Sequence, residues 1–430
     1  MIPLQLQQMV ADSGCIHLQM RLRYRLLGGL LLAVGIPLLI RAMAEPKVVY
    51  SINLQVTITA AIFAHISGYL IYRRLDAFPG VATFGTLLPA FTLSYGLVFL
   101  VIFFFRLDYS RFQAAGSFLI STLWYFSLAA SLNRLEPGRL AVVPVGSVHR
   151  LAAVRGVAWH RLQRPGLVPG RIQGVVADLR ADLPDAWVRF ITGCVLSGMP
   201  VYHVKQVLES LTGRVEIEHL SENTLGSLHP NQAYSRIKQA ADWLAALAVL
   251  IVASPLLLIV VLLIRLDSPG PALFRQQRVG HRGAVFTLYK FRTMRDDRGG
   301  PVTAREKAIT RGDDPRITRI GRVLRRTRLD ELPQLFNILR GEMSWIGPRP
   351  EALMLSLWYE KELSFYPYRH IVRPGITGWA QVNQGHVAAI GDVHEKLHYD
   401  FYYIKNFSPW LDLVIVMRTI RIMLTGFGAK

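Results

Sequence analysis

Apolar residues cluster in four long blocks within the first third of the chain. The four blocks are Leu26–Ile40, Ile52–Tyr72, Val81–Phe105 and Ala114–Leu132. Because the apolar core of a bilayer accommodates about 20 helical residues, the last three blocks predict transmembrane helices. The first block is shorter and contains Pro37, but arginines on both sides can anchor its ends at the membrane surface. We predict that it also spans the membrane, with an interfacial helix as the alternative.

Basic residues at the edges of these blocks predict the direction of the helices. Arginines precede the first block, and Arg73 and Arg74 follow the second. Cytoplasmic loops carry the excess of Lys and Arg, so the N-terminus and this loop are expected in the cytoplasm. Four crossings return the chain to the same side at Arg134. The pattern therefore predicts a four-helix transmembrane domain over residues 1–134.

Short apolar strands then alternate with helical segments from residue 139 to residue 228. The predicted strands are RLAVVPV, RIQGVVADL, MPVYHV and RVEIEH. One helix is predicted near Ala186–Ser197 and a second, short one precedes RVEIEH, a pattern typical of a small Rossmann-like α/β domain. The Val145–Ser147 turn lacks the G-x-G-x-x-G spacing of a phosphate-binding loop. We therefore expect this domain to have a scaffolding or oligomerising role.

A fifth apolar segment, Trp243–Ile264, contains 22 residues without a formal charge. The simplest interpretation is another transmembrane helix. However, Ser254 and Pro255 lie at its centre, where proline breaks the helical hydrogen-bond ladder and serine can satisfy a carbonyl that the break frees. Basic residues flank both ends, which favours two ends on the cytoplasmic side. We predict a re-entrant hairpin over residues 243–264, with a kinked crossing as the alternative.

Composition favours anionic partners for the chain. Its 430 residues are 51% hydrophobic and carry a formal net charge of +20, which suits nucleic acid, phospholipid head groups or phosphorylated small substrates. The basic residues follow membrane edges and no nucleic-acid recognition module is present, so we expect no nucleic-acid partner. Cys15 and Cys194 are the only cysteines, too few for a disulfide framework, which favours a reducing compartment. No cleavable signal is evident in the first twenty residues.

Two adjacent carboxylates, Asp330 and Glu331, follow a strongly cationic run in RRTRLDELPQLFNIL. We predict a helix from Glu331 to Leu339 with Pro333 in its first turn, which places Asp330 at the helix N-terminus. The helix dipole and the arginines should favour its ionised form, which can act as a nucleophile. The alternative is a plain N-cap. The preceding run can also form an interfacial amphipathic helix, because Ile317, Ile320 and Leu324 recur opposite arginines.

Five sequence blocks, one of them the run with Asp330 and Glu331, follow one another in the C-terminal half, after a KQAAD lead-in at Lys238–Asp242. They are FRQQRVG at Phe274–Gly280, LYKFRTM at Leu288–Met294, RTRLDELPQLFNIL, GEMSWIGPRPE at Gly341–Glu351 and VRPGITGWAQVNQG at Val372–Gly385. Taken singly, GPRP and RPGITGW are ordinary turn sequences and YKF an ordinary strand. Their joint order over residues 234–430 resembles the bacterial sugar transferase family, the monotopic phosphoglycosyl transferases. The N-terminal half resembles the larger members that start O-antigen, capsule or exopolysaccharide synthesis.

The resemblance implies a magnesium-dependent enzyme of the bacterial inner membrane whose catalytic domain, residues 232–430, is mostly helical and faces the cytoplasm. It implies that Asp330 attacks a UDP-sugar, that UMP leaves, and that undecaprenyl phosphate then accepts the phosphosugar. Asp330 and Glu331 are the expected catalytic residues and the ligands of Mg²⁺. The expected phosphate-binding cations are Lys290, Arg292, Arg325, Arg349 and Arg373.

Further substrate contacts are expected in the last block. Gln381, Asn383 and His386 are the candidates, although His386 follows Gln384-Gly385 where many family members carry Gly-Arg. This departure leaves the transferred sugar open. Inner-membrane lipids, and a second copy of the chain in a homodimer, are further candidate partners.

Two rival interpretations come from other classes of protein. HEKLH at His394–His398 matches the H-E-x-x-H pattern of zinc metalloproteases, although no third ligand follows at a familiar spacing. A short five-residue pattern is more often a solvated helix face. The third candidate is a membrane scaffold without enzymatic activity.

Overall fold

A computed structural model describes residues 22–46, 51–75, 83–134, 139–154, 157–166, 172, 174–216, 230–295, 316–384 and 390–425. The chain divides into two compact units, residues 1–213 and residues 214–430. The division into three domains that the sequence predicts is finer than this and remains a prediction.

Four long helices open the first unit. They are α1 (Leu22–Ala44), α2 (Ile52–Leu75), α3 (Thr83–Phe104) and α4 (Arg111–Arg134). Each is long and apolar enough to cross a membrane. The first apolar block was short in sequence, but α1 extends over 23 residues because helix-forming residues continue on both sides of it. The predicted helices are therefore present.

A small parallel sheet follows in the same unit, in the strand order β2-β1-β3-β4. The strands are β1 (Arg139–Val142), β2 (Ala158–Arg161), β3 (Gly174–Ala177) and β4 (Val201–His203), with helices α5 (Asp185–Leu196) and α6 (Val204–Thr212). Apolar side chains from both sides of β1 and β3 form two buried clusters, so helices and loops cover both faces. The α/β architecture agrees with the sequence prediction.

Two details of the sheet differ from the sequence prediction. Strand β2, with the sequence AWHR, was not predicted. The segment RVEIEH was predicted as a strand, but Arg214–Glu216 form no strand, and the Val215 amide instead donates to the His398 carbonyl at 3.0 Å. The rest of that segment lies outside the described residues.

The second unit contains a long apolar helix and a small mixed fold around it. Its elements are α7 (Gln232–Asp267), β5 (Leu273–Val279), β6 (Val285–Phe291), α8 (Arg319–Thr327), α9 (Leu335–Leu339), β7 (Ser344–Ile346), α10 (Leu353–Glu362), β8 (Gly375–Thr377), α11 (Trp379–Gln384), α12 (Ile390–Lys405) and α13 (Pro409–Thr425). Strands β5 and β6 form an antiparallel hairpin, and β7 pairs with β8 in parallel.

Helix α7 is one continuous element with Pro255 inside it, not two helices joined by a turn. Pro255 has no amide hydrogen for the Ile251 carbonyl, and the Ser254 hydroxyl donates to that same carbonyl at 2.8 Å. The serine thus takes over the lost hydrogen bond and the helix continues. This role of Ser254 confirms the sequence argument, whereas the hairpin itself is not seen.

Both halves of α7 pack against the β5–β6 hairpin while most of the helix stays exposed. Ala246, before Pro255, packs in a cluster with Phe286, and Val260, after it, packs in a second cluster with Phe291. The central apolar residues point away from the protein, and Val252 is 81% exposed. An apolar surface of this length on a helix requires a cover such as a lipid bilayer.

Candidate active site

Strand β6 aligns the first residue of the site through the alternation of its side chains. Phe286 and Leu288 share one face of the strand and pack against Leu335 and Ile338 of α9. Lys290 is the next residue on that face, and its ammonium group lies 3.1 Å from Glu331 Oε1. The apolar row therefore fixes the strand against α9 and delivers a cation to the carboxylates.

The two carboxylates lie in a 3₁₀ helix, Leu329–Gln334, which continues into α9. The single helix from Glu331 to Leu339 that the sequence predicted is divided in this way. Arg328, with φ 58°, is the capping residue, and Asp330 lies inside the helix. The N-cap interpretation of Asp330 is therefore wrong. Both side chains are buried, Asp330 being 8% and Glu331 6% exposed.

Glu331 is surrounded by cations. Its Oε1 accepts hydrogen bonds from Arg349 Nη2 at 2.9 Å and Lys290 Nζ at 3.1 Å, and Arg328 Nη1 lies 3.8 Å away. Burial alone would raise the pKa of Glu331, but the charges of Arg349 and Lys290 outweigh it and hold that pKa well below its usual range. Glu331 is thus the carboxylate that the cations keep ionised.

Asp330 has a different environment although it is the neighbouring residue. Its Oδ1 is buried and has no hydrogen-bond partner among the described residues. Burial raises the pKa of Asp330, the charge of Glu331 raises it further, and Lys290 and Arg349 oppose the shift only in part. Arg349 and Arg328 favour the ionised form of Asp330, as the sequence predicted, but burial and the charge of Glu331 outweigh them, so the net direction of the pKa shift is upward.

A cleft of about 180 Å³ opens next to these groups, lined by Arg278, Leu288, Lys290, Gln334, Arg349 and Pro350. Arg278 acts electrostatically on Glu331 from this cleft. Lys290, Arg349 and Arg278 thus bring three cationic side chains to one cleft, and such side chains bind phosphate oxygens. Arg278, Arg328 and Gln334 were not among the predicted site residues. The position of Arg278 inside the FRQQRVG block was the available signal.

Backbone contact between two motifs positions Arg349. A side chain on Gly347 would lie 2.2 Å from the Arg373 carbonyl oxygen, and one on Gly375 would lie 2.1 Å from the Gly347 amide nitrogen. Glycine at these two positions therefore lets the GPRP and RPGITGW segments pack backbone against backbone, beside the β7–β8 pair. Both segments act as structural turns, and the first of them carries Arg349 to Glu331.

Three predicted phosphate-binding cations contact other parts of the unit. Arg292 donates to the Ser268 carbonyl at 2.6 Å and the Pro269 carbonyl at 2.9 Å, which ties down the end of α7. Arg373 donates from Nε to the Gly341 carbonyl at 3.0 Å and lines a separate cavity with Lys238. Arg325 lies in the last turn of α8. Only Lys290 and Arg349 of the five predicted cations contact Glu331.

Two of the candidate substrate-binding residues of the last motif, Gln381 and Asn383, form hydrogen bonds within the second unit. Gln381 Nε2 donates to the Ile376 carbonyl at 3.0 Å, and Asn383 donates to the Trp379 carbonyl and accepts from Arg418. His386 lies outside the described residues. The roles predicted for these three residues remain predictions.

The carboxylate oxygens of Asp330 and Glu331 provide part of the coordination shell that a magnesium ion requires. Mg²⁺ takes one or two carboxylates and completes its shell with water and substrate phosphate. Asp330 Oδ1 offers a buried oxygen without a partner, while Glu331 Oε1 is already shared by Lys290 and Arg349. In the described residues no group of three or more His, Cys, Asp or Glu side chains can hold a metal. An ion here would therefore depend on phosphate oxygens and water.

The HEKLH segment forms part of α12 and divides between two of its faces. His394 and His398 stack edge to face, with ring centroids 4.6 Å apart. Glu395 pairs with Arg214 at 3.6 Å, and the buried Lys396 pairs with Glu351. A third zinc ligand is missing among the described residues, so the geometry does not support the protease interpretation.

Comparison with known proteins agrees with the motifs. Residues 233–426 match the profile of a family described as bacterial sugar transferase. The chain is 45% identical over 368 residues to the UDP-N-acetylgalactosamine-undecaprenyl-phosphate N-acetylgalactosaminephosphotransferase of Aeromonas hydrophila, which covers 85% of each chain.

Two other relatives match less than half of this chain. The UDP-glucose:undecaprenyl-phosphate glucose-1-phosphate transferase of Xanthomonas campestris pv. campestris is 43% identical over 43% of this chain and 38% of its own length. The exopolysaccharide production protein PSS of Rhizobium leguminosarum bv. phaseoli is 43% identical over 43% of this chain, but this match covers 93% of that protein.

Proposed function

The chain belongs to the bacterial sugar transferase family, and from this premise we propose that it transfers a sugar phosphate from a UDP-sugar to undecaprenyl phosphate. The products are an undecaprenyl-diphosphate-sugar and UMP, in the initiating step of a surface polysaccharide. The observation that carries this proposal is the unequal pair Asp330 and Glu331 beside Lys290 and Arg349.

Asp330 is the nucleophile in this proposal because its Oδ1 has no hydrogen-bond partner among the described residues, whereas Glu331 Oε1 already has two. Its Oδ1 forms a bond to the phosphorus that bears the sugar, and the bond from that phosphorus to the bridging oxygen breaks as UMP leaves. A phosphate oxygen of the lipid then attacks the same phosphorus and releases the Asp330 carboxylate. Glu331 is held by Lys290 and Arg349, so it orients these cations instead.

The cations of the cleft stabilise the charge that develops during both transfers. Phosphoryl transfer depends mostly on positioning and on neutralisation of the equatorial and leaving oxygens. Lys290, Arg349 and Arg278 converge on one cleft and can contact these oxygens. Bound Mg²⁺, held by Asp330 and Glu331, would supply further neutralisation of the diphosphate. We expect EDTA to abolish transfer and added Mg²⁺ to restore it.

The direct test is label transfer in membranes that contain the protein. Wild-type protein with radiolabelled UDP-sugar and undecaprenyl phosphate should give a labelled lipid, and the Asp330→Asn variant should not. Mass spectrometry of protein trapped without acceptor should find a sugar phosphate on the peptide that contains residue 330. Unchanged label transfer by Asp330→Asn would refute the assigned nucleophile.

The donor sugar is to be found by comparison of a few UDP-sugars. The relative that matches 85% of the chain is named for N-acetylgalactosamine, and a relative that matches 43% of the chain is named for glucose. UDP-N-acetylgalactosamine and UDP-glucose therefore head the screen, with UMP release as the measurement.

We also propose that the protein lies in the inner membrane with its second unit in the cytoplasm, so that α7 enters and leaves the bilayer by one face. The β5–β6 hairpin carries Arg275 and other polar residues and cannot lie in hydrocarbon, yet Ala246 and Val260, on opposite sides of Pro255, both pack against it. A straight crossing would separate these positions across the bilayer.

Cysteine labelling tests this topology. Single cysteines at Ile237 and Leu266, which are 68% and 75% exposed, flank the apolar part of α7. In a background without Cys15 and Cys194, an impermeant maleimide should reach both sites from the cytoplasm. Labelling of position 266 only from the periplasm would reject the one-sided arrangement.

A further inference from the structure

We propose that Arg369 is a positioning residue that holds Arg349 in place beside the carboxylates. Arg369 is 3% exposed, lies in the 3₁₀ helix Tyr366–Ile371, and has no recorded contact with Asp330 or Glu331. The inference rests on the proposed function, because it assigns Arg369 a part in sugar-phosphate transfer.

The hydrogen bonds of Arg369 connect two elements, its own 3₁₀ helix and α12, to the backbone of Arg349. Its Nη2 donates to the Arg349 carbonyl at 2.9 Å, and its Nε and Nη2 contact Asp400 Oδ2 at 3.1 and 2.8 Å. Its Nη1 donates to the Tyr366 hydroxyl at 2.9 Å. Because a guanidinium group is planar and rigid, fixing it at Asp400 and Tyr366 also fixes the direction of the bond to Arg349.

The residues after Arg349 are held from two other elements. Arg278 of β5 donates from Nη1 to the Pro350 carbonyl at 2.5 Å. Lys396 of α12 pairs with the Glu351 carboxylate, and the Val279 amide donates to the Glu351 carbonyl at 3.3 Å. We call residues 349–351 the clamped segment. The carbonyls of all three residues and the carboxylate of Glu351 therefore have hydrogen-bond or ion-pair partners.

Arg369 is the member of this network that acts on the backbone of Arg349 itself. Arg349 reaches Glu331 Oε1 at 2.9 Å from the clamped segment. Loss of the bond from Arg369 would free the Arg349 backbone on one side, and the long side chain would carry that displacement to the cleft. Misplacement by about 1 Å can cost roughly a hundredfold in rate.

A double-mutant cycle tests whether Arg369 acts through Arg349. We expect Arg369→Gln to lower kcat/KM for the UDP-sugar by about 10- to 100-fold. In an Arg349→Gln background the same substitution should cause no further loss, because the residue through which it acts is absent. Arg369→Lys should recover part of the loss, since it restores the charge opposite Asp400 but not the planar fork.

A matched control separates positioning from stability. Lys238 forms another buried ion pair of the same unit, with Asp412 at 2.8 Å, away from the clamped segment. Lys238→Gln should lower the melting temperature, and whatever activity it loses should multiply with the loss from Arg349→Gln. If Arg369→Gln does not fold, Asp400→Asn, which keeps the shape of the pair, takes its place in the cycle.

The outcomes distinguish the two proposals. Losses from Arg369→Gln and Arg349→Gln that multiply would overturn the positioning role while leaving the transfer reaction intact. A wild-type protein that transfers no sugar phosphate from any donor would instead overturn the proposed function.

Discussion

Two neighbouring carboxylates differ in charge environment because the fold presents different partners to each. Glu331 meets Lys290 from β6 and Arg349 from the clamped segment, whereas Asp330 Oδ1 meets no partner among the described residues. The sequence identified both residues from their setting in the motifs. It could not assign the cations to one of them, since that depends on which side chains the hairpin and the β7–β8 region bring to the 3₁₀ helix.

Asp330→Asn should abolish activity and stabilise the protein at the same time. The loss of transfer should be at least about a thousandfold, because the nucleophile is gone. Neutral asparagine also removes a buried charge that lies beside Glu331, so stability should rise by about 0.5–2 kcal/mol. The measurements are UMP release and the melting temperature in detergent with EDTA.

Glu331→Gln is the matched comparison for this prediction. It leaves the half-buried cations Lys290 and Arg349 without their counter-charge, which should cost about 2–4 kcal/mol of stability. Activity and melting temperature should therefore both fall. A fall in melting temperature for Asp330→Asn would contradict the raised pKa of Asp330.

Glu351 should stabilise the protein over most of the acidic pH range. Burial alone would raise the pKa of Glu351, but the charges of Lys396, Arg369 and Arg278 hold it well below its usual range. A carboxyl group with a depressed folded pKa contributes stability above its unfolded pKa of about 4.3, and loses it as pH falls through the folded value. Glu351→Gln should therefore be less stable by about 3–5 kcal/mol at neutral pH.

Melting temperatures measured across pH check this assignment. The gap between wild type and Glu351→Gln should persist from pH 8 down to about pH 4 and close only below it. Glu360→Gln, at an exposed position of α10, is the control and should show no gap. A gap that closes near pH 6 would show that the pKa of Glu351 is not depressed.

At the scale of elements, the apolar pattern predicted the long helices and most of the strands, but it did not identify which segments pair with the sheet. The four apolar helices, β1, β3 and β4 were predicted from their patterns. Strand β2 was missed because AWHR is short and half exposed. RVEIEH alternates like a strand, but Val215 bonds to α12 instead of the sheet. Alternation indicates extended backbone and does not identify its neighbour.

Replacement of Ser254 and Pro255 should disturb the proposed topology, in which both ends of α7 lie on the cytoplasmic side of the membrane. In Ser254→Ala/Pro255→Ala the residue at position 255 regains an amide that can bond to the Ile251 carbonyl, which favours a straighter helix. We expect part of the cysteine label at position 266 to become accessible from the periplasm, with transfer activity reduced in proportion. Pro89→Ala, inside α3, is the control and should leave the label unchanged.

Arg292 should stabilise the end of α7 instead of binding the diphosphate. Arg292→Gln removes its hydrogen bonds to Ser268 and Pro269, which should cost about 1–3 kcal/mol of stability. KM for the UDP-sugar should stay within about twofold of wild type, whereas Lys290→Gln should lower kcat/KM by about 100-fold. A large rise in KM for Arg292→Gln would restore its predicted role as a phosphate ligand.

At the scale of the whole molecule, the second unit includes Arg214 and Val215. Arg214 lies over the Tyr399 ring at 4.8 Å, and Val215 is 1% exposed and bonds to α12. The boundary between the two compact units falls after Gly213. The domain boundaries predicted from the sequence, at residues 134, 139, 228 and 232, remain predictions.

A chain of residues 214–430 should retain sugar-phosphate transfer. The whole carboxylate cluster lies in this unit, and residues 233–426 of the same unit match the bacterial sugar transferase family. We expect kcat/KM within about tenfold of the full chain. A chain of residues 230–430 should melt at a lower temperature, because it loses the burial of Val215, worth about 1.5–3 kcal/mol. Equal melting temperatures for the two chains would contradict a boundary after Gly213.

Helix α12 shows that neighbouring residues of one helix can have unrelated roles. Lys396 and Asp400 turn inward, where they support Glu351 and Arg369, while His394 and Glu395 point outward. A pattern search compares residues in sequence order, although consecutive residues of a helix point in different directions around its axis. When a motif lies on a helix, its residues should therefore be assigned to the faces of that helix before the motif is taken as evidence for a reaction. Here the two variable positions of the pattern, Lys396 and Leu397, are buried, and Lys396 supports Glu351.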